Sequence, residues 1–255
     1  MNKLLIIDGL NLVRRIHAAL PDENDITSVQ QRSLAASQKL LKQHQPTHVI
    51  VVWDGNETSW RKTLYSDYKK GRKPMPTALS EGLTQIKATL AEHNIHSFDA
   101  PSEADDVIAT IATKVINNNG EVIIVSTDKG FSQLPSQHLT LWDHFNQQTF
   151  DIKQYEKKLG VEQYQLLDFI ALAGDAGNKI PGIAGIGPKS AADLLNKFRT
   201  LANLYRSLDN LGAKQAQKLA EGKEMARISY KLAQLQTDIP LNVNLKQFRV
   251  NTHPH

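Results

Sequence analysis

Three short apolar runs, Leu4–Ile7, His48–Trp53 and Glu121–Val125, constrain the fold more than any other feature of the chain. Each is continuous rather than alternating, the pattern of a strand buried on both faces, and such strands belong to parallel sheets. The stretches between them have helical spacing, over Thr27–Gln43, Ser80–His93 and Glu103–Asn118. In the last, Val107, Ile108, Ile111, Val115 and Ile116 recur at three- and four-residue intervals. Alternation of this kind predicts an α/β fold, a parallel sheet flanked by helices with right-handed crossovers. Leu139–Trp142 reads as a further strand, and beyond about Asp151 helical patterns dominate (Tyr164–Ala173, Lys189–Phe198, Glu224–Gln236). The expected division is an α/β core over residues 1–150 and a helical region over 151–255, without a flexible linker and with a frayed tail at Thr252–His255.

Composition removes whole classes of chemistry. The 255 residues include no cysteine, which excludes a disulfide scaffold, a thiolate zinc site, an iron–sulfur cluster and a cysteine nucleophile. It also fits a reducing compartment, and with no signal-like segment after Met1 the expected location is cytoplasmic. The apolar runs are far too short to span a bilayer, so no membrane partner is expected. No Gly-x-Ser-x-Gly elbow supports a serine hydrolase. The nine histidines read as structural or surface residues; His44 and His48 are separated by Pro46, which breaks any shared helical face. Thirty basic against twenty-six acidic side chains give a net charge of +4, a mild bias toward a polyanionic partner.

The acids fall at informative points. Asp8 ends the first apolar run, Asp54 follows the second, and Asp128 lies just beyond the third. Side chains beyond the carboxyl ends of parallel strands converge on one crevice. Glu103, Asp105 and Asp106 open a helix at the same rim. Like charges so clustered call for a divalent cation, and all-oxygen ligands suit Mg²⁺ or Mn²⁺. Taken singly, each has a plainer explanation. Asp8-Gly9 and Asp54-Gly55 are ordinary turn sequences, and Ser102 with Asp105 resembles a helix capping box.

Two further segments point to nucleic acid. Trp60–Lys73 carries Arg61, Lys62, Lys69, Lys70, Arg72 and Lys73 against the single acid Asp67, with Trp60, Tyr65 and Tyr68 interleaved. Cations bind phosphates and aromatic faces stack on unpaired bases, although a solvated charged face has the same composition. Gly174–Gly187 holds five of the 14 glycines and runs through Gly185-Ile186-Gly187-Pro188-Lys189-Ser190 into an apolar helical pattern. A tight hairpin opening a helix lets backbone N–H groups approach a phosphate. The spacing is not that of a Walker loop, and a helix–hairpin–helix clamp on the DNA backbone fits it better than an ordinary capped loop.

These elements, in this order, resemble the structure-specific 5′ nuclease (flap endonuclease) family. The matching strings are Asp8-Gly-Leu-Asn11, Val52-Trp-Asp54-Gly, Tyr68-Lys-Lys-Gly-Arg72, Glu103-Ala-Asp-Asp106, Ser126-Thr-Asp-Lys-Gly-Phe-Ser-Gln-Leu134 and Ile180-Pro-Gly-Ile-Ala-Gly-Ile-Gly-Pro-Lys-Ser190. The resemblance implies a PIN-like sheet domain with a basic arch around 58–78, and a C-terminal helix–three-turn–helix. It implies metal-assisted hydrolysis of phosphodiester bonds at 5′ flaps or single/double-strand DNA junctions, by a monomer. Asp8, Asp54, Glu103, Asp105, Asp106 and Asp128 fall on its metal positions, and Lys69 and Arg72 on cations that contact the scissile phosphate. Arg61, Lys62, Tyr68 and Lys70, with the hairpin residues Gly185–Ser190, fall on DNA-facing segments. By position, the backbone carbonyls of Leu172, Ala173, Pro181, Ile183 and Ile186 are the candidates to hold a K⁺ ion.

The chain also departs from that pattern. Gly130 and Asn178 stand where the family carries acids of its second metal site, while Asp175 is retained. The expectation is one well-bound Mg²⁺ centred on Glu103, Asp105, Asp106 and Asp128, with a weak or substrate-dependent second ion. The alternative is a DNA-junction-binding protein with a degraded site and little or no catalysis.

Overall fold

In the computed structural model, which describes residues 2–250, six strands form one sheet in the order β3-β2-β1-β4-β5-β6. They are β1 (Lys3–Asp8), β2 (His48–Trp53), β3 (Ser97–Asp99), β4 (Glu121–Val125), β5 (Leu139–Asp143) and β6 (Gln148–Thr149). The first five are parallel, in the register Leu5↔Val49 and Leu5↔Ile123 around the central β1, and β6 runs antiparallel to β5. The three continuous apolar runs are the three central strands, with Leu5, Ile6, Ile7, Ile50, Val52 and Ile124 essentially inaccessible. β3 and β6, three and two residues long at the sheet's edges, left no apolar signature to read.

The helices of this part are α1 (Gly9–Ala18), α2 (Ile26–His44), α4 (Thr77–Glu92) and α5 (Ala104–Asn117). Val29, Leu40, Leu79, Ile86 and Leu90 pack on the inner residues of β1 and β2 in one core. The remaining helices are α3 (Trp60–Leu64), α6 (Ile152–Leu159), α7 (Leu166–Ala173), α8 (Pro188–Phe198), α9 (Leu201–Arg206), α10 (Ala213–Glu221) and α11 (Lys223–Ala233). A second core, built on Phe169, Leu172, Ile183, Leu194, Leu195, Leu204 and Leu219, holds the helices after residue 151 together.

The compact units do not follow a cut at residue 150. Among the described residues one comprises 2–57, 73–150 and 236–250, and the other 58–72 and 151–235. The basic segment joins the helical unit because the Arg61 guanidinium donates to the carbonyls of Leu232 (2.9 Å) and Gln234 (2.7 Å) at the end of α11. The sheet unit recovers the late segment through Asp106, whose Oδ1 accepts the amide of Gln236 at 3.0 Å, and through the Val250 amide donating to Thr47 at 3.0 Å. The expected fraying of Thr252–His255 lies outside the described residues. No helix among the described residues is long and apolar enough to cross a membrane.

Candidate functional site

Chain order reverses across the sheet between β1 and β4, which leaves a crevice beyond their carboxyl ends. Asp8, the last residue of β1, faces it and is 7% exposed. Its Oδ1 accepts the Asn11 amide at 3.1 Å, so Asp8 is the N-cap of α1 rather than a turn residue. Its Oδ2 accepts the Ser126 hydroxyl at 2.8 Å, and that same oxygen of Ser126 accepts the Asp128 amide at 3.1 Å. Asp128 in turn receives the Gly130 amide on Oδ1 at 2.7 Å. One serine thus ties the exits of β1 and β4 together.

Asp54 arrives from the other neighbour of β1. Gly55 makes this possible: a Cβ there would lie 1.9 Å from the Ala100 carbonyl oxygen, and the Gly55 amide donates to Ser102 at 2.6 Å. The chain after β2 therefore lies against residues 100–102, and the Asp54 Oδ1 accepts the Ala104 amide at 2.7 Å. A carboxylate from a remote strand caps α5, where a negative charge also meets the positive end of the helix dipole. The Ser102–Asp105 capping box is not formed. Glu103 occupies the cap position without a side-chain cap bond, and the first helical amide, that of Ala104, is held by Asp54.

Burial is the main force on Asp8, and repulsion from Asp54 and Asp128 adds to it. Hydrogen bonds from Asn11 and Ser126 pull the other way, and the net effect pushes its carboxyl up to about 7. Asp8, Asp54 and Asp128 therefore share one electrostatic site. Asp106 faces elsewhere with Oδ1: it is 3% exposed and holds the Gln236 amide, while Thr110, one turn on, donates to the Gln236 carbonyl at 3.2 Å. The expected four-carboxylate cage around one ion is not drawn together, since among the described residues no three His, Cys, Asp or Glu side chains are close enough to hold an ion at once. The donor chemistry nevertheless fits a hard divalent cation. Mg²⁺ keeps several waters and needs only one or two direct carboxylates, and a positive charge beside Asp8 would relieve the repulsion recorded in its raised pKa.

Sequence reading passed over the groups that orient this site. Asn11 pairs with Thr127 through Nδ2 to Oγ1 (3.0 Å) and through the Thr127 amide to Oδ1 (3.2 Å), and Arg15 donates to the same hydroxyl at 3.1 Å. The signal was present in the Ser126-Thr127-Asp128 string, which places two hydroxyls between a strand end and an acid.

In the helical unit, two expected DNA-facing residues are structural instead. Arg61 is 2% exposed, committed to the end of α11, and stacked 4.5 Å from the Trp60 ring. Tyr68 is 5% exposed and packs with Ile180 and Leu232, so its face is closed to a base. In both cases the aromatic or aliphatic stem has more to gain from an apolar neighbour than from solvent. Lys62 and Lys70 are exposed, Lys70 paired with Asp67 at 2.7 Å. Lys69 adopts φ +55°, and its amide donates to the Asn178 carbonyl at 2.8 Å; Arg72 donates to the Asn178 Oδ1 at 2.7 Å.

The hairpin depends on two glycines. Gly182 (φ +64°) would place a Cβ 2.4 Å from the Gly174 nitrogen and 2.7 Å from the Leu172 oxygen; Gly174 (φ +75°) would place one 2.5 Å from the Ile180 oxygen. The Ile183 amide donates to Leu172 at 2.8 Å and the Ile186 amide to Ile183 at 3.0 Å. Those carbonyls each keep one lone pair for a cation. The Ile183 and Ile186 side chains are buried anchors, while Gly187, Pro188 and Lys189 lie exposed at the start of α8. Lys218, which the sequence did not single out, lies against Gly185, where a Cβ would come 2.7 Å from its Nζ.

Comparison with known proteins bears on this arrangement. A family model described as 5′-3′ exonuclease, N-terminal resolvase-like domain, matches residues 3–160, and one described as 5′-3′ exonuclease, C-terminal SAM fold, matches residues 161–254. The chain belongs to the 5′-3′ exonuclease family and is a nuclease that hydrolyses DNA phosphodiester bonds. Within that family its relatives are flap endonucleases of the Xni type. It is 86% identical over 251 residues to Flap endonuclease Xni of Shewanella frigidimarina, covering 98% of both chains. To Flap endonuclease Xni of Shewanella denitrificans it is 75% identical over 250 residues, covering 98% of this chain and 99% of the other. Among solved structures, a bacteriophage T5 flap endonuclease in a pseudo-enzyme-product complex with DNA and metal ions shares the fold at TM-score 0.75 and 23% identity, with 91% and 89% of the chains covered. The catalytic core of Rad2 in complex with DNA substrate does so at 0.60 and 15%, with 96% and 84% covered.

Proposed function

We propose that the protein is a Mg²⁺-dependent flap endonuclease acting at 5′ flaps or other single/double-strand DNA junctions, with K⁺ in the hairpin. The observation that carries this reading is the shared site of Asp8, Asp54 and Asp128, three acids from three strand exits whose proximity helps keep a proton on Asp8 up to about pH 7. Acids gathered at a sheet's switch point, at a cost in repulsion, serve a ligand better than they serve the fold. The relatives named Flap endonuclease Xni support the choice of substrate.

In this reading one or two of the carboxylates Asp8, Asp54, Glu103, Asp105, Asp106 and Asp128 would bind the divalent ion directly and the others through its waters. The ion supplies charge stabilisation for the attacked phosphate and lowers the pKa of water. Ser126 and Asn11 hold the Asp8 carboxylate in one orientation, and the Ala104 amide holds Asp54. Lys69 and Arg72 bind the scissile phosphate and offset the charge that grows on its oxygens. Gly185–Ser190 and Lys62 engage backbone phosphates of the duplex. Carbonyls of Leu172, Ala173, Pro181, Ile183 and Ile186 would hold K⁺.

The deciding experiment incubates a 5′-flap duplex and Mg²⁺ with the purified protein, beside an Asp105→Ala, Asp128→Ala double variant. Cleavage by the parent alone is expected; equal cleavage by both assigns it to a contaminant and leaves a junction-binding role. For the hairpin, duplex affinity is compared in K⁺ and Na⁺ at matched ionic strength, with tighter binding expected in K⁺. Indifference to the cation removes the K⁺ site.

A further inference from the structure

Asn178 is bonded at once to two residues of the basic segment, Lys69 through the backbone and Arg72 through its side chain. Its main-chain carbonyl accepts the Lys69 amide at 2.8 Å, and its Oδ1 accepts the Arg72 guanidinium at 2.7 Å. Its Nδ2 donates to Oδ2 of Asp175 at 2.6 Å, and the other oxygen of Asp175 accepts the Gly177 amide at 2.9 Å. The loop is closed by paired backbone bonds of 2.9 Å between Asp175 and Ile180, and Ile180 packs with Tyr68, the residue before Lys69. The chain of contacts is thus Asp175 carboxylate, Asn178 carboxamide, Arg72 guanidinium.

A carboxamide suits the middle of that chain. Arg72 offers donors alone and both oxygens of Asp175 accept, so the partner between them must accept on one side and donate on the other. Those flanking groups also fix which way the amide points. An Asp at 178 would still receive Arg72 but would face Asp175 with a second negative charge. An Ala would release the guanidinium to a long, exposed side chain's full rotamer freedom.

We propose that Asn178, braced by Asp175, is a positioning residue that presents Arg72, and through its carbonyl the Lys69 turn, to the scissile phosphate. This rests on the proposed role of those two cations, and a double-mutant cycle separates the two ideas. Single-turnover rates on a 5′-flap duplex with Mg²⁺ are compared for the parent, Arg72→Ala, Asn178→Ala and the double variant, with duplex affinity measured for each as a check on folding. A misplaced guanidinium should cost about ten- to a hundredfold in rate while affinity holds. Because Asn178 acts through Arg72, the double variant should be no slower than Arg72→Ala alone. An undiminished rate for Arg72→Ala sinks the role of the cation itself. A slow Arg72→Ala with a normal Asn178→Ala, or with penalties that multiply, overturns the positioning role only. Asn178→Asp is the last arm: recovery of rate that needs Arg72 is expected, and a gain that persists without Arg72 would mark position 178 as a metal ligand instead.

Discussion

Oδ1 of Asp54 lies 2.7 Å from the backbone nitrogen of Ala104, so the acid that leaves β2 is also the cap of α5. A residue with two duties answers differently to two substitutions. Asp54→Asn keeps an acceptor for the amide and removes only the charge, whereas Asp54→Ala removes both. The alanine variant is expected to lose about 1 kcal/mol of stability in urea titrations, the usual worth of a cap, while the asparagine variant stays near the parent. Both should cleave poorly. Equal stability of all three proteins would show that the cap contributes nothing.

Asp8 gives a pH signature. Its carboxyl is raised to about 7, chiefly by burial. Between about pH 4 and that value the folded protein keeps a proton that the unfolded chain has released. Metal-free stability from this group therefore falls as pH rises through the window. The partly buried histidines His44 and His144, whose pKa values burial lowers, act in the opposite sense, so the comparison must be made against a variant. Asp8→Asn, which mimics the protonated acid, should gain on the parent steadily from pH 4 to 7 without metal. Added Mg²⁺ should erase that gain by stabilising the parent alone. A pH-independent difference would contradict the shift.

Arg61 tests the division of labour within the basic segment. Replacing it with Met leaves the carbonyls of Leu232 and Gln234 without their donor, at an expected cost of about 1–3 kcal/mol. Duplex affinity of the folded protein should not change, in contrast to Lys62→Ala, which should weaken binding and lower its salt dependence. Lost affinity in the Arg61 variant, with stability intact, would restore it to the DNA-facing set.

Two glycines of the hairpin make a matched pair. Gly182→Ala meets fixed backbone at 2.4 Å and a left-handed φ of +64°, whereas Gly187 has nothing within 4 Å of its would-be Cβ. The left-handed backbone alone costs about 1–2 kcal/mol, and the overlap adds to it. Gly187→Ala should leave thermal stability unchanged. If both variants melt with the parent, the close approach of residues 172–174 and 180–182 is not rigid.

Continuous apolar runs were enough to determine the sheet's three central strands and the α/β class, because only burial on both faces tolerates such composition. The order of acids after those runs was enough to mark the carboxyl edge, since strand direction fixes where each chain end emerges. Local sequence could not determine what each polar side chain faces. The same basic run yields a buried Arg61, a packed Tyr68 and an exposed Lys62, because partners as far as 173 residues away decide which stems find an apolar wall. Nor did spacing show that Asp106 would hold Gln236, that Asp54 rather than Ser102 would cap α5, or that Asn178 would stand between an acid and a guanidinium. Those assignments belong to tertiary contact: a hydrogen bond has a reach of about 3 Å, and only folding brings residues so distant in sequence within it.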